Sequence, residues 1–386
     1  MSLQTLVERA EALYHDIDLR FVAQWKQEHD GKAVGHLPIY VPRELIDAAG
    51  MLPVALHGAG DQVEIIRGDA YFQSYICQIP RSVIELALSG RLAALDGFLF
   101  PSTCDVIRNL SGMWKVLFPD RYVRYLDVPQ NFSVEVGGKF WTEELREIAA
   151  DLERLGGRKI TDSALAESIA KFNDNRRALG ELFELRRGEP WRAPAREAYL
   201  IIRAGDVMPV EEHTAFVRAY VQAAREADRV KRDHTRVAVT GAFCEQPPLE
   251  LIETLERAGC YVVWDDFTLG ARFIEGDIEV QGDPLDAIAR AFLSRSAPNA
   301  CVFQPQGPRG GWLVETVRRT AAEGVVFAAP SFCDPALLEQ PMLEAALDKE
   351  GVPHTAFKYA ENLGQFQVIR EQAGTFSDSL RLWSEA

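Results

Sequence analysis

Short apolar runs alternate with amphipathic stretches along the first third of the chain, and this alternation predicts strands and helices in turn. Apolar residues recur every three or four positions from Leu3 to Ile17, which is typical of an amphipathic helix. Apolar runs bounded by turn residues predict strands. The strands predicted here are 36–41, 52–56, 97–100 and 122–126, and the later helices are 42–50, 82–89 and 105–114.

The last third of the chain repeats this alternation. The predicted strands are 237–240, 261–264, 300–303, 325–329 and 355–358, and the predicted helices are 248–258, 284–295, 312–323, 335–348 and one from about 365 onward. Strands that alternate with helices indicate a mostly parallel sheet. We therefore predict an α/β fold with two doubly wound, mostly parallel-sheet lobes.

The middle of the chain has a different pattern. From 142 to 187 it is charged and helical without a strand, 190–210 is ambiguous, and 211–230 predicts another helix. We interpret this region as a helical connector. The predicted domains are an N-terminal lobe at 1–140, the connector at 141–233 and a C-terminal lobe at 234–386. Two lobes also suit a chain of 386 residues, because single cores stop growing at about 250–300 residues.

Charge and hydropathy exclude several classes of protein. The formal net charge is −15, which argues against nucleic-acid binding because phosphates require a basic face. No apolar run approaches the roughly 18 residues that cross a bilayer. The N-terminus lacks the basic and apolar regions of a secretory signal, so we expect a cytoplasmic protein without membrane contact.

A Pro-Ser-x-Cys-Asp frame occurs twice, each time after an apolar run. It places Cys104 after strand 97–100 and Cys333 after strand 325–329. In each frame we expect the Asp to cap the helix that follows, so that the positive end of the helix favours a thiolate. Ligands bind beyond the carboxyl ends of such strands. One interpretation is two buried thiols in unrelated turns, but the duplication favours one cofactor held between two lobes.

The other four cysteines differ in their surroundings. Cys77 lies in an aromatic-rich segment that leads into a predicted helix, and Cys244 follows a strand and precedes Glu245, so Cys244 competes as a ligand. Cys260 stands at the start of a predicted strand and Cys301 lies within one, which favours a place in the core for both. No Cys-x-x-Cys pair occurs, and the ligands are too far apart in sequence for a ferredoxin motif. The chain also lacks a P-loop.

The segments that contain these cysteines carry a family resemblance. The chain resembles the iron–sulfur subunits of the benzoyl-CoA reductase and 2-hydroxyacyl-CoA dehydratase family over essentially its whole length. Within that family it is most similar to the smaller, C-type (gamma) catalytic subunits of ATP-dependent benzoyl-CoA reductases. The segments are YICQIPRS at 75–82, PSTCDVIRNLSGMW at 101–114, GAFCEQPP at 241–248 and PSFCDPALLE at 330–339.

The resemblance implies a cofactor, a reaction and partners. It implies one [4Fe–4S] cluster per chain, held by Cys77, Cys104 and Cys333, with one iron left for a non-protein ligand. It also implies a homologous second cluster subunit and a separate two-subunit ATPase with a ferredoxin upstream. The reaction implied is reduction of the ring of benzoyl-CoA, or of a related acyl-CoA, to a cyclohexadiene-1-carbonyl-CoA by single electrons of low potential.

Several roles stay open at this point. Glu245 is the candidate proton donor, since Asp105 and Asp334 are interpreted as helix caps. Arg108 and Arg124 could meet coenzyme A phosphates or form surface ion pairs. Two alternative functions remain: a 2-hydroxyacyl-CoA dehydratase subunit, which recycles its electron, and an electron-relay or scaffold subunit that does not contact substrate.

Overall fold

Two four-stranded parallel sheets and the helices around them make up the computed structural model, which describes residues 1–241, 247–297, 309–360 and 366–384. The strands are β1 (Lys32–His36), β2 (Met51–Ala55), β3 (Gly97–Pro101), β4 (Tyr122–Leu126), β5 (Thr235–Thr240), β6 (Cys260–Asp265), β7 (Gly324–Pro330) and β8 (His354–Tyr359). The helices are α1 (Leu3–Tyr14), α2 (Arg20–His29), α3 (Arg43–Ala48), α4 (Gln78–Leu88), α5 (Asp105–Leu117), α6 (Val134–Gly156), α7 (Asp162–Gly188), α8 (Ala195–Arg203), α9 (Val210–Glu226), α10 (Leu249–Arg257), α11 (Pro284–Arg295), α12 (Gly311–Thr320), α13 (Asp334–Lys349) and α14 (Phe366–Ser384).

The two sheets have the same strand order. The first runs β2-β1-β3-β4 and the second β6-β5-β7-β8, and all neighbouring strands are parallel. In each sheet the order reverses between the first strand and the third, which opens a crevice at their carboxyl ends. The predicted α/β fold with two parallel sheets is thereby confirmed, and its arrangement is consistent with two lobes.

The strand predicted at 36–41 is wrong in its position. The structure has β1 at Lys32–His36, and the buried segment 37–41 follows it without pairing as a strand. Pro38 lacks an N–H to donate to a neighbouring strand, and Tyr40 has a φ of 70°. The segment is therefore apolar because it is buried, not because it lies in a sheet.

Two further differences concern helices. Helix α4 begins at Gln78 instead of Ser82, because Pro80 lies in its first turn, where a missing N–H costs no hydrogen bond. Helix α2 was not predicted, and the ambiguous segment 190–210 contains α8. The strand predicted at 300–303 lies outside the described residues.

The long helices of the middle segment pack on both sheets. Helix α6 contacts β4 of the first sheet, and α7 contacts β6 of the second. Trp141 of α6 and Phe292 of α11 have ring centroids 4.7 Å apart, within the core cluster that also contains Val34 and Leu99 of the first sheet. The division of the chain at residues 140 and 233 stays a prediction.

None of the helices within the described ranges is both long enough and apolar enough to cross a bilayer.

Candidate functional site

A cavity of about 760 Å³ lies where the carboxyl ends of the two sheets meet. Its walls come from the residues that follow β1, β3 and β7 and from the first turns of α4, α5 and α13. The apolar lining residues include Leu37, Ile39, Ile76, Ile79, Ile107, Phe332, Leu338 and Met342. The cavity therefore occupies the crevice that the strand order creates.

Three cysteines line this cavity. Cys77, Cys104 and Cys333 are the N-cap residues of α4, α5 and α13, respectively. Cys333 is 4% exposed, whereas Cys77 and Cys104 are partly exposed. Cys77 also packs against the small apolar cluster that contains Cys333. The fold thus brings together three residues that are far apart in sequence.

The two Pro-Ser-x-Cys-Asp frames occupy equivalent places in the two sheets. Each begins with the last residue of the third strand, Pro101 or Pro330. The next residue then donates its N–H to the neighbouring strand: Ser102 to the Leu126 carbonyl at 2.9 Å, and Ser331 to the Tyr359 carbonyl at 2.7 Å. The chain therefore leaves both sheets at the same point.

The interpretation of Asp105 and Asp334 as helix caps is wrong. Both are the first residues of their helices, and the cysteines before them occupy the cap positions. A carboxylate in the first helical turn still interacts favourably with the helix dipole. The partial positive charge at a helix N-terminus also favours the thiolate form of a cysteine at the cap position.

The three cysteines could serve as ligands of an iron–sulfur cluster. Among the described residues, no group of three or more His, Cys, Asp or Glu side chains is arranged to hold one metal ion. Three thiols around one largely apolar cavity are the ligand chemistry that such clusters use.

Cys260 lies apart from this cavity, in the core around β6. Burial raises the pKa of its thiol to about 12, so the side chain remains protonated near neutral pH. This agrees with the core position predicted for it. Cys244, Glu245 and Cys301 lie outside the described residues.

The cavity also contains an ion pair that the sequence did not indicate. Arg309 Nη1 donates to Glu339 Oε1 at 2.7 Å, and both residues line the wall. Burial raises the pKa of Glu339, while the hydrogen bond from Arg309 opposes that rise. Glu339 ends the segment 330–339 quoted above, but no sequence pattern links it to Arg309, so only the fold brings the two residues together.

The two arginines considered for phosphate binding have different surroundings. Arg124 forms ion pairs with Glu144 and Glu147 of α6. Arg108 lines the cavity and lies over the Tyr125 ring, 5.7 Å from its centroid. Of the two, Arg108 is the one beside the candidate site.

Fold and site together define a two-sheet α/β protein with a candidate cofactor site between its sheets. The chain belongs to the family described as 2-hydroxyglutaryl-CoA dehydratase, D-component, whose model matches residues 38–380. This finding confirms the family resemblance drawn from the cysteine-containing segments.

Individual relatives extend over nearly the whole chain. The C subunit of benzoyl-CoA reductase from Thauera aromatica is 53% identical over 386 residues, which is the full length of both proteins. The beta subunit of (R)-2-hydroxyglutaryl-CoA dehydratase from Acidaminococcus fermentans is 30% identical over 90% of this chain and 92% of its own. The beta subunit of lactoyl-CoA dehydratase from Anaerotignum propionicum is 29% identical over 92% and 94%, respectively. The first of these similarities confirms the predicted enzyme class, an oxidoreductase.

Proposed function

We propose that the chain is the iron–sulfur catalytic subunit of an ATP-dependent benzoyl-CoA reductase. The complex would reduce the ring of benzoyl-CoA to a cyclohexadiene-1-carbonyl-CoA by single-electron transfer at low potential. The observation that carries this proposal is the 53% identity to the C subunit of a benzoyl-CoA reductase over both full lengths. The cavity supports it because an apolar, thiol-lined crevice suits both a cluster and a flat aromatic acyl group.

The proposed cofactor is one [4Fe–4S] cluster per chain, between the lobes, with Cys77, Cys104 and Cys333 as its ligands. When bound, such a cluster supplies single electrons. The chain's own contribution is to present three thiolates at helix N-termini and to surround them with apolar walls. Apolar surroundings strengthen electrostatic interactions and limit side reactions once a site is closed to water.

Proton transfer to the reduced ring requires an acid, and we propose Glu245 for this role. A carboxylic acid can donate a proton where its surroundings hold it in the neutral form. Replacing Glu245 by Gln would remove the proton and keep the side-chain shape. We expect this variant to retain its iron and to lose ring reduction.

The proposed partners are a homologous second cluster subunit, a separate two-subunit ATPase and a ferredoxin upstream, all in the cytoplasm. The relatives support partner subunits because they are themselves named as subunits. The missing P-loop in the sequence agrees with an ATPase on other chains.

Anaerobic iron and sulfide analysis of alanine variants tests the ligand set. We expect Cys77→Ala, Cys104→Ala and Cys333→Ala each to lose most of their iron and sulfide. Cys260→Ala is the matched control, because it removes a buried thiol outside the cavity and should retain the wild-type iron content. The ligand set is wrong if Cys244→Ala loses the cluster while Cys77→Ala keeps it.

A subunit of a 2-hydroxyacyl-CoA dehydratase is the second candidate, favoured by the dehydratase family model and by the two dehydratase beta subunits. Turnover of the purified complex separates the two functions. Consumption of reductant in proportion to benzoyl-CoA supports the reductase. Release of water from a 2-hydroxyacyl-CoA with only catalytic amounts of reductant supports the dehydratase. An electron-relay or scaffold role would require that no acyl-CoA binds near the cavity.

A further inference from the structure

The turn before the cysteine differs between the two Pro-Ser-x-Cys-Asp frames. In the second frame, the Cys333 N–H donates to the Pro330 carbonyl at 3.1 Å, which closes a four-residue turn. Phe332 occupies the third position of this turn with a φ of 68°. Thr103, its counterpart in the first frame, has a φ outside the left-handed region. The Pro-Ser-x-Cys-Asp segment can therefore connect its strand to the following helix without a residue in the left-handed conformation.

A phenylalanine is an unfavourable choice for this turn. A positive φ at the third position of a turn is normally supplied by glycine, because a side chain there collides with the backbone. For a bulky residue the conformation is a genuine outlier, and such outliers cluster at ligand sites. Glycine at position 332 would form the same turn at a lower conformational cost.

Core packing does not explain the phenyl ring either. Phe332 is 52% exposed, whereas Thr103 is 3% exposed. The exposed ring lines the cavity beside Cys333, together with Leu338 and Met342 of α13. An unfavourable turn therefore holds an aromatic surface at the wall of the candidate site.

We propose that Phe332 is a specificity-determining residue whose ring packs against the aromatic acyl group of the substrate. Aromatic pairs prefer stacked or edge-on geometries, which favour a planar ring over a saturated ring of the same size. This inference rests on the proposed function, because it assigns the acyl group of that substrate to this wall of the cavity.

Binding of two thioesters to the resting complex tests the inference. Benzoyl-CoA and cyclohexanecarbonyl-CoA share coenzyme A and ring size and differ in planarity and aromaticity. By anaerobic calorimetry we expect Phe332→Gly to raise the Kd for benzoyl-CoA by about 5- to 10-fold and that for the saturated thioester by less, as loss of an aromatic pair would do. Phe332→Tyr keeps the aromatic surface and should stay within about twofold of wild type.

Stability and assembly provide the controls. Phe332→Gly relieves the left-handed conformation, so its melting temperature should not fall below that of wild type, and its iron content should be unchanged. The inference is overturned if wild type binds benzoyl-CoA and Phe332→Gly binds it equally well. It is also overturned if that variant instead loses its partner subunit. If wild type itself neither binds nor reduces benzoyl-CoA, the proposed function fails, which is a separate result.

Discussion

At the scale of single residues, His213 shows how the buried polar groups are held in one protonation state. Its Nδ1 accepts a hydrogen bond from the Asn175 side-chain amide at 3.0 Å, and its Nε2 donates to the Ile201 carbonyl at 3.0 Å. Asn175 also donates to Thr214, which fixes the orientation of the amide. A second proton on the ring would have to replace the bond from Asn175.

This arrangement predicts a dependence of stability on pH. Burial lowers the pKa of His213 to about 4, below the unfolded value of 6.5, so the unfolded chain binds this proton more readily. The contribution of His213 to stability is therefore present above pH 6.5 and is lost as the pH falls toward 4. We expect the difference in unfolding free energy between wild type and His213→Gln to shrink over this range.

Urea unfolding at pH 7.5, 6.5, 5.5 and 4.5 measures that difference. The control is His15→Gln, which changes an exposed histidine of the same chain. Its difference from wild type should be small, because substitutions of exposed side chains usually change stability little. A difference for His213→Gln that stays constant from pH 7.5 to 4.5 would show that the folded protein binds this proton without cost.

Sequence patterns could predict some of the site residues and not others. The repeated frame predicted that Cys104 and Cys333 lie at equivalent strand ends, and the structure places them there. Cys77 entered the ligand set only through the family resemblance, because no repeat surrounds it. The conformation of Phe332 could not be predicted, since positive φ is disfavoured for that residue type.

At the scale of elements, helix α4 and the loop before it act as one unit. The Glu85 Oε2 atom accepts hydrogen bonds from the backbone N–H groups of Ile66, Arg67 and Gly68 at 3.0, 2.6 and 2.8 Å. A Cβ atom on Gly68 would lie 2.2 Å from the Arg81 carbonyl oxygen of α4. The loop therefore approaches the helix backbone more closely than a side chain would allow.

Two glycine-to-alanine changes should have opposite effects on stability. Gly68→Ala should lower the unfolding free energy by about 1–3 kcal/mol, because helix or loop must move to admit the methyl group. Gly180→Ala, in the interior of α7 with no atom within 4 Å of the new Cβ, should raise it by about 0.5–1 kcal/mol. Urea unfolding at pH 7.5 measures both. Equal stability of Gly68→Ala and wild type would contradict the close approach.

The limits of sequence-based prediction at this scale are visible in β1 and α4. The apolar pattern predicts a strand that includes the buried segment 37–41, because a buried coil and a buried strand are equally apolar. The sequence predicts that helix α4 begins at Ser82, because a proline such as Pro80 often precedes a helix. Proline is tolerated in a first turn, so the helix extends to Gln78.

At the scale of the whole molecule, the strand alternation predicted two parallel sheets, but long-range packing was not predictable from it. Helix α11 follows β6 in sequence and yet packs on α6, where Phe292 also contacts Tyr40 with ring centroids 5.4 Å apart. No local pattern contains that information, because the contact joins residues about 250 positions apart in sequence. The cavity between the sheets is likewise formed by residues that lie far apart in the sequence.

A buried ion pair connects α7 to the second sheet. Arg186 is 1% exposed, and its Nη2 donates to Asp265 Oδ2 at 2.8 Å and to the Val262 carbonyl at 2.9 Å. Asp265, at the end of β6, is 5% exposed. Neither charge can reach water if its partner is removed.

Replacing Arg186 by Met should therefore destabilise the whole molecule. The change removes the hydrogen-bonded partner of the buried Asp265 carboxylate and leaves Arg272, whose charge also interacts with Asp265, so the cost should be at most about 3–5 kcal/mol, and urea unfolding should show a correspondingly lower midpoint. Arg187→Met is the matched control, since Arg187 is exposed and pairs with Glu184 on the same helix, so its loss should cost less than about 1 kcal/mol. Adding Asp265→Leu to Arg186→Met should recover much of the loss, because a buried pair can be replaced by apolar side chains. Equal midpoints for the two single variants would mean that the ion pair does not hold α7 to β6.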